Sequence, residues 1–435
     1  MKSYKAFDFV WKVFHAFLLI FVVGLIIPKD GNISNLSYSS FEISDWLINY
    51  EGGFVRRGIV GEILHYAYGI CPFDVVYFIV GTCAISFILF CYVIYRCCKK
   101  LSMSVIPLLV IICGSLLPIY CYRRDFIMML IVLMMFSMYI RYLKTCHLLS
   151  FIAFTICACF SLLSHEAVFF FSVPILMTIA WFSEDEKWFS KRKLKRILYH
   201  FITPIIVMTL VSYYKGNMQV AQLIWNSWDS LFKDYPIYGH NSVVMGNSVR
   251  FLNENLVSAA IFHLNSNFRV NESAYIFLWH LLSFILLLMS TYFLVERHGD
   301  MGGAKKSKDR ILVGNILLLQ FVFMIPMFTV LSCDYARTIM YCVASSIFLA
   351  YTLRKENMKI CIPSCVYDVS QKIERLCLKY KYLSSPWTYL IIACMYPMSY
   401  VGSGPRFPID CMIKKTIGLI YHGNFWPLNM VIEQL

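Results

Sequence analysis

The chain has 435 residues, 59% of them hydrophobic and 15% charged, with a mean hydropathy of +0.64 and a formal net charge of +14. Soluble domains carry roughly 25% charged and 45 to 50% apolar residues, so a water-solvated globular enzyme is excluded. A basic chain can also suit nucleic acid, but here Lys and Arg gather in short segments between apolar stretches, where membrane topology demands them, and no nucleic acid is expected as a partner.

In chain order the apolar stretches are Val10 to Ile27, Val75 to Tyr95, Val105 to Tyr120, Phe126 to Tyr142, Leu148 to Leu163, Val168 to Phe182, Ile197 to Tyr214, Ala274 to Val295, Ile311 to Leu331, Thr338 to Leu353 and Trp387 to Val401. Each approaches the roughly 20 residues that a bilayer core requires, and its backbone polar groups must be bonded within a helix. The expected fold is all-α: one polytopic membrane domain over 1–435, with about eleven transmembrane helices. Lys2 and Lys5 precede the first stretch and no small-residue cleavage pattern follows it, which predicts a retained signal anchor.

With the N-terminus inside, the inner loops are Arg96 to Lys100, Arg141 to Lys144, Lys187 to Arg196, Arg297 to Arg310 and Arg354 to Lys381, each of them basic. The run Lys191 to Arg196 reads as a topology anchor on an anionic leaflet. This places a first outer loop at 28–73, a larger one at 215–273 and the C-terminal tail, 402–435, on the periplasmic side of a bacterial inner membrane. The 17 cysteines form no CxxC pairs and have no interleaved histidines, so neither zinc nor a disulfide framework is indicated. Cys113, Cys157, Cys159 and Cys394 are expected as small core residues, while Cys71, Cys121, Cys333 and Cys411 face a compartment where they could pair. No internal repeat and no matched pair of broken helices marks the inverted halves of a transporter, and Pro174, Pro204 and Pro326 are expected to kink their spans.

Polar residues collect on the outer face. In the first loop, Gly52-Gly53 gives a turn and Arg56-Arg57 stand at the start of a helix over Gly58 to Tyr68. There Ile59, Ile63, Tyr66 and Ile70 recur at interfacial-helix spacing beside Glu62 and His65. Unpaired N–H groups at a helix start attract anions, so the segment can cradle a phosphate; snorkelling arginines in a plain membrane anchor are the alternative. Tyr120 to Asp125 bring Arg123, Arg124 and Asp125 to the start of the fourth span, where Asp125 also suits a helix cap. His165 and Glu166 sit wedged between the fifth and sixth spans, as a site or as a structural pair that neutralises Arg123 or Arg124. Asp334 and Arg337 are one turn apart at the tenth span and can bridge each other. Arginines on the outer side break the charge bias, and adjacent arginines hold phosphate in forked geometry. Aromatics of the second loop, among them Trp225, Trp228, Tyr235 and Tyr238, suit either a glycan-stacking lid or an interfacial belt.

Asp45-Trp46, Gly53-Phe54-Val55-Arg56-Arg57-Gly58, Arg123-Arg124-Asp125, His165-Glu166 and the Asp-x-x-Arg at 334–337 resemble membrane proteins of bacterial surface-polysaccharide clusters, including Wzy-type O-antigen polymerases. The layout is also similar to the GT-C superfamily of polytopic glycosyltransferases. The resemblance implies a polyprenyl-phosphate or polyprenyl-diphosphate sugar as donor, with membrane lipids and other polysaccharide-assembly membrane proteins as partners, and no cofactor. It implies Asp45 as first-loop acid and general base, and Asp125 as second acid. Arg56, Arg57, Arg123 and Arg124 would hold the lipid phosphate, with His165 and Glu166 orienting the acceptor or sharing proton transfer. Glu62, Asp334 and Arg337 complete the outer-face set. Transfer would invert the anomeric centre, and polymerisation of repeat units is favoured over addition of one branch sugar. The alternatives are a lipid-linked oligosaccharide flippase, which needs a polar central cavity, an acyltransferase built on a histidine such as His280, and a membrane protein without catalysis.

Overall fold

A computed structural model of the protein describes residues 41–101, 103, 123–183, 189–228, 248–249, 252, 260–261, 264, 303–332, 335–358, 360 and 362–380. Regular structure among these residues is helical. A short α1 (Phe41–Trp46) and α2 (Gly58–Ile70) precede α3 (Val75–Lys100), α4 (Asp125–Thr145), α5 (Leu148–Ser164), α6 (Val168–Phe182) and α7 (Lys191–Tyr213). After α8 (Met218–Asn226) come α9 (Gly303–Thr329), α10 (Tyr335–Lys355) and α11 (Ser364–Lys379). Each expected apolar stretch that falls on described residues is a helix; Val10 to Ile27, Val105 to Tyr120, Ala274 to Val295 and Trp387 to Val401 lie outside them.

By length and composition, four described segments can cross a membrane: Val75–Lys100, Asp125–Thr145, Lys191–Tyr213 and Ile311–Thr329. Their outward faces agree. On α3, Tyr77, Phe78, Ile85, Ile88, Leu89 and Tyr92 are all exposed at helical spacing, a stripe that water would not tolerate and hydrocarbon would. Inside the bundle, α4 packs on α3, α5, α6 and α10. Phe126 of α4 meets Phe87 and Phe90 of α3 at ring separations of 4.9 and 5.3 Å, and Phe90 reaches Phe348 of α10 at 6.0 Å. Between helices already in lipid, close van der Waals packing of this kind supplies the association.

Two expected inner loops carry more structure than charge alone indicated. The basic run Lys191 to Arg196 forms the first turns of α7, capped by Ser190, whose hydroxyl accepts from the Lys193 N–H at 3.1 Å. Arg196 donates to the Ala180 carbonyl and, at 3.3 Å, to the Ser183 hydroxyl, so it ties down the end of α6. The segment after Arg354 contains α11, packed on α9. Pro174, Pro204 and Pro326 all lie inside helices. Cys157 is buried and Cys159 half-buried; Cys71 is exposed with a free thiol, and Cys121, Cys333 and Cys411 lie outside the described residues.

Chain direction brings the functional candidates together. The starts of α2, α4, α6 and α10 and the end of α5 meet at one end of the bundle, joined by contacts from Arg57 to Glu166 and from Arg337 to Asp125. At the far end, the Lys144 ammonium donates to the Glu356 carbonyl at 2.8 Å. α5 and α6 are short: 17 and 15 residues rise only about 25 and 22 Å, less than the roughly 30 Å hydrocarbon core. The turn at 165–167 joins them, with His165 and Glu166 half-buried and Ala167 buried.

Candidate functional site

The first-loop motif is built as a rigid cap. Gly53 has φ +100, a conformation that a side chain disfavours, and its N–H donates to the Tyr50 carbonyl at 2.8 Å to close the turn. Gly61 lets α2 press against the backbone of Ile48, since a Cβ there would fall inside the Ile48 carbonyl. The Glu62 carboxylate accepts from the Tyr50 N–H at 2.9 Å, so Glu62 fastens the turn to α2 rather than facing a ligand. Val55 inserts into a small apolar core with Ile48, Ala221, Ile224, Trp225 and Leu252.

This packing settles part of the second-loop expectation. Trp225 and Trp228 are buried, and the Trp228 indole N–H donates to the Leu47 carbonyl at 2.7 Å, so neither ring is a platform for sugar stacking. Asn49 donates to the Ser227 hydroxyl at 2.8 Å, and the Arg56 N–H to the Tyr214 carbonyl at 3.0 Å. Tyr235 and Tyr238 lie outside the described residues, as does His280.

The cap holds Arg57 at the start of α2 in a left-handed conformation, φ 65 and ψ 5. A non-glycine residue there carries a strain of about 1 kcal/mol or more. Both ends of the residue are held. Its guanidinium forks onto Glu166, with Nε donating to Oε2 at 2.9 Å and Nη2 to Oε1. Its carbonyl accepts from Arg124 Nη1 at 3.2 Å.

From Arg57 the charges run in two linked groups. Asp45 receives Arg124 Nε at 3.0 Å, with Nη2 of the same guanidinium 2.8 Å from Oδ2, and Arg57 Nη1 stands 3.6 Å from its other oxygen. Arg56 Nη1 lies 3.8 Å from Glu166, whose carboxylate the two adjacent arginines therefore share. On the other side, Asp125 Oδ1 accepts from Arg337 Nη2 at 2.7 Å and from the Tyr341 hydroxyl, while Arg337 Nη2 also reaches that hydroxyl oxygen at 2.9 Å. Glu166 thus pairs with Arg57, not with Arg123 or Arg124, and Arg337 with Asp125; Asp334 lies outside the described residues.

Burial separates these pairs. The side chains of Asp45 and Arg124 are 7% and 2% exposed, and that of Asp125 is 3%; those of Arg56, Arg57 and Glu166 are 19%, 21% and 22% exposed. Arg124 and the two aspartates are sealed, whereas the Arg56-Arg57-Glu166 group is partly open. Arg123 is half-exposed, and its charge acts on both Asp45 and Asp125. Among the described residues the cluster sets five guanidinium groups against three carboxylates, a positive surplus. Asp45 Oδ1 and Asp125 Oδ2 are buried and accept no hydrogen bond among the described residues.

Electrostatics fix the protonation states. Burial by itself would raise the Asp45 carboxyl, but the Arg124 and Arg57 guanidinium groups outweigh it and hold the acid well below the usual carboxylate range. Burial opposes ionisation of Glu166 as well; the Arg57 and Arg56 guanidinium groups hold it low. For His165, burial and then the Arg57 charge bring the imidazole down to about 3, so it is neutral at pH 7. Its Nδ1 accepts from the Ala167 N–H at 3.2 Å, which assigns the proton to Nε2. His165 is accordingly a neutral Nε2–H donor and not a base through Nδ1.

Tyr341 is the residue that the sequence left unmarked. Its position one turn beyond Arg337 on α10 is the signal that would have found it. Among the described residues no group of three His, Cys, Asp or Glu side chains is placed to hold a metal ion. No protein-family model, curated protein or solved structure matches the chain.

Proposed function

We propose that this protein is a membrane glycosyltransferase that transfers or polymerises polyprenyl-phosphate- or polyprenyl-diphosphate-linked sugars at the outer, periplasmic face of a bacterial inner membrane. Polymerisation of O-antigen-type repeat units is favoured over addition of a branch sugar. In this reading the chain crosses the membrane about eleven times, N-terminus inside and C-terminus outside, consistent with the length each span requires. The observation that carries it is the partly open pair Arg56-Arg57, set with a surplus of guanidinium charge beside three sealed or ion-paired carboxylates at one end of an apolar helix bundle. Partly buried, oriented cations suit a phosphate in the headgroup layer, and they stabilise the charge that grows on a departing diphosphate.

The roles divide by burial. Asp45 and Asp125 are clamped by Arg124 and Arg337, which suits them to holding the arginine scaffold rather than to taking a proton. Arg56 and Arg57 take the phosphate, and Arg123 adds its charge near Asp45 and Asp125. The His165 Nε2–H donates to an oxygen of the leaving group or the acceptor. Glu166, the most exposed of the three carboxylates, is the base for the acceptor hydroxyl. The test is the surface-glycan ladder of the source strain carrying Arg57→Lys or Arg56→Gln. Correctly inserted variants should lose the ladder beyond one repeat. An unchanged ladder in both removes the proposal, and an intact ladder of altered serotype assigns branch addition instead.

A further inference from the structure

Arg57 presents its forked edge to Glu166. Both carboxylate oxygens are engaged, and Arg56 approaches Oε1 from the side at 3.8 Å. A carboxylate in that fork has the shape and charge of one face of a phosphate group, since guanidinium binds both through paired N–H donors. Two further features separate this ion pair from its neighbours. It is about one-fifth exposed, whereas both partners of the Asp45–Arg124 pair are sealed. Glu166 also sits on the short connection between α5 and α6, while Asp45 and Asp125 lie within helices. A side chain on such a connection can leave its partner without unwinding a helix.

We propose that Glu166 is a placeholder for a phosphate of the ligand: a phosphate or diphosphate group of the donor enters the fork of Arg57 and Arg56, and the displaced carboxylate becomes the base that accepts the acceptor's proton. This rests on the glycosyl-transfer reading and deepens it. Binding of the donor leaves Arg56 and Arg57 neutralised by the phosphate and frees Glu166 beside the reacting centre. The acceptor O–H bond then breaks with its proton passing to Glu166, and the acceptor oxygen bonds to the anomeric carbon. The bond from that carbon to the phosphate oxygen breaks, and its electron pair leaves with the polyprenyl diphosphate held by the arginines. Base and leaving-group site would be coupled, so no competent base exists before the donor is bound.

The test uses the full-length protein in lipid nanodiscs. Wild type, Glu166→Gln and Glu166→Ser are titrated with inorganic pyrophosphate in one arm and with polyprenyl diphosphate added to the nanodisc lipid in the other; unfolding temperatures confirm that all three are folded. Removing a placeholder tightens ligand binding, so both variants should bind about tenfold or more tightly than wild type, equivalent to about 1.4 kcal/mol of lost competition. Over the same substitutions, transfer should fall on the order of a hundredfold. Those opposite signs are not produced by general damage to the site. A response in the lipid arm alone identifies the lipid-linked ligand, and one in both arms identifies the phosphate group itself; either supports the placeholder. Binding to wild type that is equal or weaker in the variants overturns it while leaving the arginine site intact. Failure of every protein to bind in both arms overturns the phosphate site and the glycosyl-transfer reading with it.

Discussion

Arg124 stands next to Asp125 in the chain, yet its Nε bonds Asp45, 79 residues earlier, at 3.0 Å. The exchange of partners is geometric. Asp125 is the first residue of α4 and turns toward Arg337 on α10, whereas Arg124 precedes the helix and points back under the first-loop cap. Because both members of the Asp45–Arg124 pair are sealed, removing Arg124 leaves Asp45 buried with only the more distant Arg57 Nη1, at 3.6 Å, to offset its charge. Arg124→Ala should therefore cost about 3 to 5 kcal/mol, and Arg124→Lys should recover little of it, since an ammonium cannot serve Asp45 and the Arg57 carbonyl together. Thermal unfolding of detergent-solubilised variants gives the measurement, and a loss below about 1 kcal/mol would show that the pair is solvated.

Helices were legible where composition dominated. The limits of α5 and α6 follow the apolar stretches almost to the residue, because polar His147, His165 and Ser183 interrupt long hydrophobic runs. The basic ends of α7 and α9 read as loops because charge lowers hydropathy whether or not the backbone is helical; capping by Ser190 carries α7 through that charge. At the site, the arginines out of place topologically were recognisable one by one. Pairing was not, since Arg57–Glu166 and Asp125–Arg337 span 109 and 212 residues and no local spacing encodes them. Burial was also hidden: nothing near Trp228 in sequence announces that its N–H serves Leu47.

Gly61 offers a test of the cap without touching a charge. In Gly61→Ala the added methyl group meets the backbone carbonyl of Ile48, which has no rotamer to change. Overpacking of this type costs typically 1 to 3 kcal/mol, and here the relief available is to push α2 away and carry Arg57 with it. The variant should lose thermal stability and, on the proposed function, glycan transfer. Gly69→Ala is the control, because a Cβ there meets nothing within 4 Å and Ala is the better helix former. Equal behaviour of the two variants would show that α2 does not depend on its contact with Ile48.

Arg57→Gly separates strain from function. The substitution removes the cost of a left-handed non-glycine residue, about 1 to 2 kcal/mol, and at the same time the fork onto Glu166, a pair about one-fifth exposed whose own net worth is modest in partly solvated surroundings. The two nearly cancel, so unfolding temperature should change little, while on the proposed function transfer should be lost because a phosphate would have no forked donor. A large drop in stability would instead assign Arg57 a structural role.

Acid should unfold the protein in two stages. The ordinary value for a histidine is 6.5, and folded His165 is held down to about 3, so between these limits the unfolded chain binds a proton that the folded chain refuses. Stability then falls as pH drops from about 6.5 toward 3, and His165 charges only with loss of the packing around the 165–167 turn. Asp45 and Glu166 shift in the same direction from ordinary values of 3.8 and 4.5, because their arginine partners stabilise the ionised forms, so their contributions are present above about pH 4.5 and are withdrawn below it. His165→Asn keeps a short polar side chain near the Ala167 N–H but removes the titrating ring. In that variant the decline between about pH 6.5 and 4.5 should flatten while the steeper loss at lower pH remains. Unfolding temperature measured across pH 3 to 8 reads both limbs, and an unchanged upper limb in the variant would mean that His165 is not the group being protonated there.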